Sequence, residues 1–223
     1  PETKRNAEPV DPDDRLVGLD DQQLEEVRMA LEDGKEEDIV AVAFNMQIPR
    51  KILATLKPGV WLVGDVINFW MEMLQEQSTI HRRQQMFLST QFFSKLHSHD
   101  DKFVYNYGGV QSWTSRRRKY REVLNQKKVF VPIHVGGNHW TLGIINFEGC
   151  TVEYHDWMGA GGMQYLERLL RWVADETKAK TGKEFDHRAW TRVPTDVRKT
   201  PQQDNGVDCG VFLCAAAEWL SDG

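Results

Sequence analysis

One cysteine, Cys209, stands at the mouth of an apolar run, Gly-Val-Phe-Leu, directly after a turn-forming stretch, Gln203-Asp204-Asn205-Gly206. A thiol at a helix start faces unpaired backbone N–H groups and the positive end of the helix dipole. Both favour the thiolate, which is the nucleophilic form. The turn residues can carry Gln203, six positions upstream, back beside the sulfur. A cysteine among apolar neighbours is by itself usually a small core residue. Chemistry requires in addition a base, and a group that orients the base.

Two neighbouring predicted strands supply both. The segments HWTLGIINF, from His139, and TVEYHDW, from Thr151, are rich in β-branched and aromatic residues and are separated by Glu148-Gly149-Cys150. A tight hairpin centred on Glu148-Gly149 puts Asp156 opposite Thr141. His139 lies two places along from Thr141 and so on the same face. Such diagonal neighbours have Cβ atoms roughly 7–8 Å apart, within reach of an imidazole–carboxylate hydrogen bond. His139 is then a candidate base, and Asp156 the carboxylate that fixes its tautomer. Gln203 is a candidate donor to the oxyanion formed when a carbonyl is attacked, together with the backbone N–H of Cys209. Each residue alone has an ordinary structural reading; their coincidence carries the argument.

The segments HWTLGIINF, VEYHDWMG and PQQDNGVDCGVF resemble the cysteine peptidase domain of the ubiquitin-like-protein-specific proteases, the SUMO (sentrin) proteases related to the adenovirus-type endopeptidase. The family order His, Asp, Gln, Cys is matched by His139, Asp156, Gln203 and Cys209. Upstream, ATLKPGVWLVGDVINFW resembles the motif in which a Trp-Leu pair precedes an acidic residue and an Ile-Asn-Phe helix. The resemblance implies an α+β papain-like or adenain-like fold with the nucleophile at a helix N-terminus. It also implies a cysteine peptidase that removes a SUMO-like modifier from lysines and matures the modifier's precursor after Gly-Gly. Tryptophans at the positions of Trp61 and Trp140 flank a channel that admits only the Gly-Gly tail. A monomer acting inside the cell, in nucleus or cytoplasm, is expected. The alternatives are a deconjugase of another ubiquitin-like modifier, an acetyltransferase on the related fold, and an inactive modifier-binding domain.

This sequence departs from the family at three places. Trp61-Leu62-Val63-Gly64-Asp65 stands where Trp-Leu-Asn-Asp-Glu is usual, so two polar side chains expected near the modifier are missing. Trp157 follows the aspartate where serine is common. The sequence stops at Gly223, where family members continue with another segment packed on the sheet, so a C-terminal truncation relative to the family is expected.

Bulk properties agree with a globular thiol enzyme. The 223 residues are 40% hydrophobic with eight tryptophans, enough for one domain with a real core. A net charge of −5 gives no overall nucleic-acid signal, and no nucleic-acid or membrane partner is expected. Three cysteines, Cys150, Cys209 and Cys214, have neither disulfide nor zinc spacing, which points to a reducing compartment. His134, His155 and His187 lack metal-site spacing, and no metal or cofactor is expected. Arg116-Arg117-Arg118-Lys119 reads as a solvated helix face.

The elements that must position these groups follow from periodicity and punctuation. Residues 1–19 are polar and Asp- and Pro-rich, a mobile arm ahead of a peptidase domain over 20–223. A helix capped by Asp20 or Asp21 runs to about Asp33, with Gly34 closing it. Ile39 to Ile48 reads as one strand, and a short helical turn precedes Lys57-Pro58-Gly59. Asp65 to Gln77 is apolar on most sides and predicts a central, buried helix. Further helices are expected over Thr90–His97, Ser112–Gln126, Met163–Lys180 and Gly206–Leu220. Strands are expected over Phe130–His134 and Phe185–Val193. Helices first, strands in the middle, then helix, strand and helix argue α+β, with a mixed sheet against helices.

Overall fold

The structure, a computed structural model, describes residues 18–96, 104–115 and 119–222. The expected arm up to Val17 and the cluster Arg116-Arg117-Arg118 lie outside the described residues, as does His97 at the end of an expected helix. Lys119, the last of that basic run, forms an ion pair with Glu72.

Five strands form the central sheet in the order β3-β4-β5-β6-β7: β3 (Gln85–Phe87), β4 (Lys128–Val135), β5 (His139–Asn146), β6 (Thr151–His155) and β7 (Thr191–Val193). The β3–β4 and β6–β7 pairs are parallel, and the two central pairs are antiparallel, so the sheet is mixed. Alternation along β4 sends Val129, Val131 and Ile133 to one side of the sheet and Phe130 to the other. On the first side lie α4 (Thr90–Lys95) and α5 (Met163–Thr181), with Phe92, Leu169 and Trp172 in the core. On the second lie α3 (Gly64–Ile80) and α6 (Cys209–Asp222), with Ile67, Leu74 and Leu213 packed on Phe130, Leu142 and Ile144. Both faces of the sheet are covered, which explains why β4 and β5 are apolar without a clean period of two. The result is α+β, as the order of elements predicts.

α3 also seals one sheet edge. Its Gln75 side chain donates to the carbonyl of Gln85 and accepts from Phe87 N–H, both at 3.1 Å, and Ser78 Oγ accepts from Gln85 N–H at 3.3 Å. An edge satisfied by side chains is a poor template for another chain.

Outside the sheet, Asp20 caps α1 (Asp21–Glu32), and Gln23 completes a reciprocal capping box. The single strand expected over Ile39–Ile48 is instead a hairpin, β1 (Ile39–Ala43) and β2 (Met46–Pro49). Its reversal is at Phe44-Asn45, both at positive φ (56° and 59°), the conformation a two-residue hairpin turn demands. The chain then makes a short helix, α2 (Arg50–Leu53), and a 3-10 turn to Leu56. The helix expected over Ser112–Gln126 is also corrected: 3-10 turns occupy Gln111–Thr114 and Val123–Asn125, and Ser115 between them is extended. The Lys180 ammonium takes the carbonyls of Thr114 and Arg121, acceptors that a continuous helix would use internally. The strand expected from Phe185 shortens to β7, because Asp186 caps a 3-10 turn over His187–Ala189.

Candidate active site

His139 opens β5, directly after the Gly136-Gly137 turn, where both glycines have positive φ. Asp156 lies on the neighbouring strand's exit. The β5–β6 ladder pairs Gly143 with Tyr154 and closes at Asn146 with Thr151, so its register is the one centred on Glu148-Gly149. The connection is nevertheless a four-residue turn, with Cys150 at φ 49°, and not a tight two-residue one. β6 also ends one residue short of Asp156. The Asp156 N–H leaves the ladder for Thr195 Oγ1 at 3.0 Å, and that hydroxyl donates to the Tyr154 carbonyl at 2.7 Å. Thr195 thus anchors the backbone of the carboxylate; nothing in the sequence singled it out.

The imidazole and the carboxylate meet. His139 Nε2 and Asp156 Oδ1 are 2.8 Å apart, with both side chains largely shielded from solvent. Oδ1 also accepts from Met158 N–H at 2.9 Å. The other ring nitrogen, Nδ1, is buried and has no hydrogen-bond partner, while Cys209 is close enough to act on the ring electrostatically.

Electrostatics follow from that contact. The His139 pKa is raised to about 9, first by its hydrogen bond to Asp156, then by Cys209, against burial. For Cys209, burial pushes the thiol up, but the His139 hydrogen bond, the Trp140 N–H, the imidazole's charge and the Gly210 N–H together hold it below its ordinary value. Burial likewise works against Asp156, yet His139 and the N–H groups of Met158 and Gly159 keep the carboxyl below the usual range. The set therefore favours a thiolate–imidazolium pair backed by a carboxylate. Cys214 behaves oppositely: burial, and then Glu218, push its thiol up to about 12.

Cys209 is the first residue of α6, and Phe212 N–H bonds back to the carbonyl of Asp208 at 2.9 Å. Gly210 lets this helix start approach the Trp61-Leu62 segment, since a Cβ there would stand 2.7 Å from Leu62 Cβ. Trp140 is buried, donates its indole N–H to the Leu62 carbonyl at 3.0 Å, and stacks on His134 with centroids 4.0 Å apart. Burial, and then the nearby His139 charge, depress the His134 pKa. Trp61 is 54% exposed and donates to the Gly206 carbonyl at 2.7 Å. Trp61, Asn138, His139, Asp156, Met158 and Gly206 together line an open cleft.

Gln203 is brought to the same loop. Its backbone N–H donates to the Trp157 carbonyl at 2.9 Å, and its side-chain Nε2 donates to the Asn205 carbonyl at 2.6 Å. Asn205 went unremarked in the sequence beyond its place in a turn, although Asn-Gly is a strong turn signal. Among the described residues, no group of three or more His, Cys, Asp or Glu is placed to hold a metal ion. Nor is any described helix long and apolar enough to cross a membrane.

A mixed sheet between helical layers, with a thiol at a helix start beside an ion-paired imidazole, defines a cysteine peptidase domain of adenain-like fold. The chain belongs to the Ulp1 protease family, whose C-terminal catalytic domain matches residues 60–223. It is similar to Ubiquitin-like-specific protease 1A of Arabidopsis thaliana, 35% identical over 182 residues, which are 80% of this chain and 35% of that protein. It is also similar to Sentrin-specific protease 2 of Homo sapiens, 34% identical over 209 residues, 93% of this chain and 34% of that protein. The chain thus spans about a third of the length of these curated relatives. Among solved structures it is similar to the C-terminal Ulp1 protease domain in complex with Smt3, the yeast ortholog of SUMO. The TM-score is 0.76 and the identity 26%, covering 93% of this chain and 86% of that one.

Proposed function

We propose that this domain is a thiol isopeptidase that removes a SUMO-like modifier from lysine side chains and cuts the modifier's precursor after Gly-Gly. The observation that carries this reading is the 2.8 Å contact of His139 with Asp156, on a ring whose second nitrogen is left for a thiol of lowered pKa. The relatives support the choice of substrate. One is named a sentrin-specific protease, and a solved one is in complex with Smt3.

In this reading the Cys209 thiolate attacks the carbonyl of the modifier's terminal glycine. The oxyanion is received by the Cys209 backbone N–H and the Gln203 amide. The tetrahedral intermediate collapses as the imidazolium of His139 gives its proton to the lysine nitrogen, which leaves as an amine. Water, deprotonated by the now neutral His139, then attacks the thioester and releases the modifier's carboxylate and the thiolate. Asp156 keeps the ring oriented and stabilises its charged form throughout.

Trp61 and Trp140 form the walls for the Gly-Gly tail. Flat indoles suit an extended backbone without Cβ atoms, and larger residues would collide with them. Trp140, held by Leu62 and His134, is the fixed wall; Trp61, half-exposed, is the outer one. The partner is one modifier molecule with its conjugate, met by a monomer inside the cell, in nucleus or cytoplasm.

A panel of fluorogenic substrates built on SUMO and other ubiquitin-like modifiers tests the assignment. SUMO-type substrates should be cleaved at least tenfold faster than ubiquitin, and Cys209→Ala should cleave none while still binding the modifier. Equal turnover by wild type and Cys209→Ala would overturn it.

A further inference from the structure

The turn before Cys209 is built around one side chain. Asn205 Oδ1 accepts from Val207 N–H at 2.9 Å and from Asp208 N–H at 3.0 Å. Its Nδ2 donates to Asp208 Oδ2 at 2.7 Å and to Asp204 Oδ1 at 3.1 Å. Its backbone carbonyl takes the Gln203 amide at 2.6 Å. Asp208, in turn, is the residue whose carbonyl accepts the first hydrogen bond of α6. One residue therefore touches both arms of the proposed oxyanion cradle: the Gln203 amide, and the helix start that presents the Cys209 N–H.

A side-chain amide can present its oxygen or its nitrogen, and only the nitrogen stabilises an oxyanion. One Nε2 hydrogen is held by the Asn205 carbonyl, which fixes the flip of the amide and leaves its second hydrogen to donate. Oε1 is buried and has no partner, so no other contact enforces this orientation. The rest of the loop is fastened at separate points. Gln203 N–H bonds Trp157 O at 2.9 Å, and Trp61 Nε1 bonds Gly206 O at 2.7 Å.

We infer that Asn205 is a positioning residue that sets the oxyanion cradle: its side chain fixes the turn to Asp208, and its carbonyl fixes the rotamer and flip of the Gln203 amide. This rests on the thiol-peptidase reading of the site. It predicts a separation between the oxyanion and nucleophile functions, because Cys209 draws its thiolate character from His139 and the Trp140 and Gly210 N–H groups, none of which Asn205 touches.

The experiment is a double-mutant cycle on the full chain with a modifier-derived fluorogenic substrate, using Asn205→Ala, Gln203→Ala and both together. A pH profile of Cys209 alkylation by iodoacetamide accompanies each variant. Asn205→Ala should lower kcat on the order of 10–100-fold, less than the ~10²–10³ of losing a donor outright. KM and the alkylation profile should stay at wild-type values. In the Gln203→Ala background the same substitution should cost less than in the wild type, because the part that acts through the Gln203 amide is already gone while the part that acts on the helix start remains. Asp208→Asn, which still accepts from Asn205, should retain most of kcat. Full kcat in Asn205→Ala, or losses that multiply independently in the double variant, would overturn the inference. So would a fall in kcat matched by a fall in alkylation rate, which would make the role one of holding the helix alone. Wild-type protein that neither alkylates at Cys209 nor turns over would instead refute the underlying peptidase reading.

Discussion

The indole nitrogen of Trp61 donates a 2.7 Å hydrogen bond to the carbonyl of Gly206, three residues before the thiol. The outer wall of the cleft is thereby tied to the loop that leads to Cys209, the proposed nucleophile, and two functions of one side chain become separable by substitution. Trp61→Phe keeps a flat wall and removes the hydrogen bond, a change of about 0.5–1.5 kcal/mol, or roughly two- to tenfold in rate. Trp61→Ala removes both. Steady-state kinetics on a Gly-Gly substrate should show a modest fall in kcat for the first, and for the second that fall together with a raised KM. Identical constants for the two variants would contradict the assignment of the wall.

The charged pair sets the pH window. In the proposed mechanism, activity needs the Cys209 thiolate and the His139 imidazolium together. It should fall at low pH as the thiolate is protonated, and at high pH as His139 loses its proton near 9. These are apparent values of a coupled pair. The stability signs run in parallel. His139, raised on folding, contributes stability that is complete below its unfolded pKa and disappears as pH rises through about 9. Asp156, depressed on folding, contributes above its unfolded value and loses that contribution as pH falls through its folded one. Asp156→Asn should narrow the activity window from the alkaline side and lower kcat by about 10⁴, following the wrong-tautomer precedent of serine-type triads. A kcat–pH profile measures both effects.

α3 begins without a cap. Val63 holds the extended N-cap conformation (φ −86°, ψ 156°) and makes no side-chain hydrogen bond to the helix. Asparagine there can satisfy an orphan N–H. Val63→Asn should therefore stabilise by about 1 kcal/mol and raise Tm by roughly 2–4 °C in thermal melts. A lower Tm would show that Val63 packing outweighs the cap.

Gly210 offers the opposite test. The Cβ of Gly210→Ala would meet Leu62 Cβ at 2.7 Å, so the helix start or the Trp61-Leu62 segment must shift. The expected cost is about 1–3 kcal/mol, seen as a lower denaturation midpoint, with slower alkylation of Cys209 in the fraction that remains folded.

Much of the fold could be read from local chemistry. Asp20 announces the first helix, and the β-branched runs on either side of Glu148-Gly149 give both strands and their register. Other elements are set by an unusual turn residue or by a distant side chain. Residues 39–48 look like one strand because Phe44, an apolar residue, occupies a left-handed turn position where Gly or Asn is usual. Ser112 to Gln126 has helical composition, but Lys180, some sixty residues away, claims its carbonyls. The proposed site residues, His139, Asp156, Gln203 and Cys209, come from residue type and spacing, and the fold brings His139 and Asp156 into contact. Thr195 could not be read in this way, because its role is a single hydroxyl brought to the Asp156 N–H just past the end of β7. Nor was Asn205 distinguishable from any other turn asparagine until its five contacts were seen together.

The most direct test of the account is labelling with a SUMO-derived probe that carries an electrophile in place of the terminal glycine carboxylate, followed by peptide mapping. Labelling should be stoichiometric at Cys209 alone and lost in His139→Ala, with Cys150 and Cys214 unmodified. Labelling at Cys214 or Cys150, or labelling of Cys209 that survives His139→Ala at the wild-type rate, would contradict it.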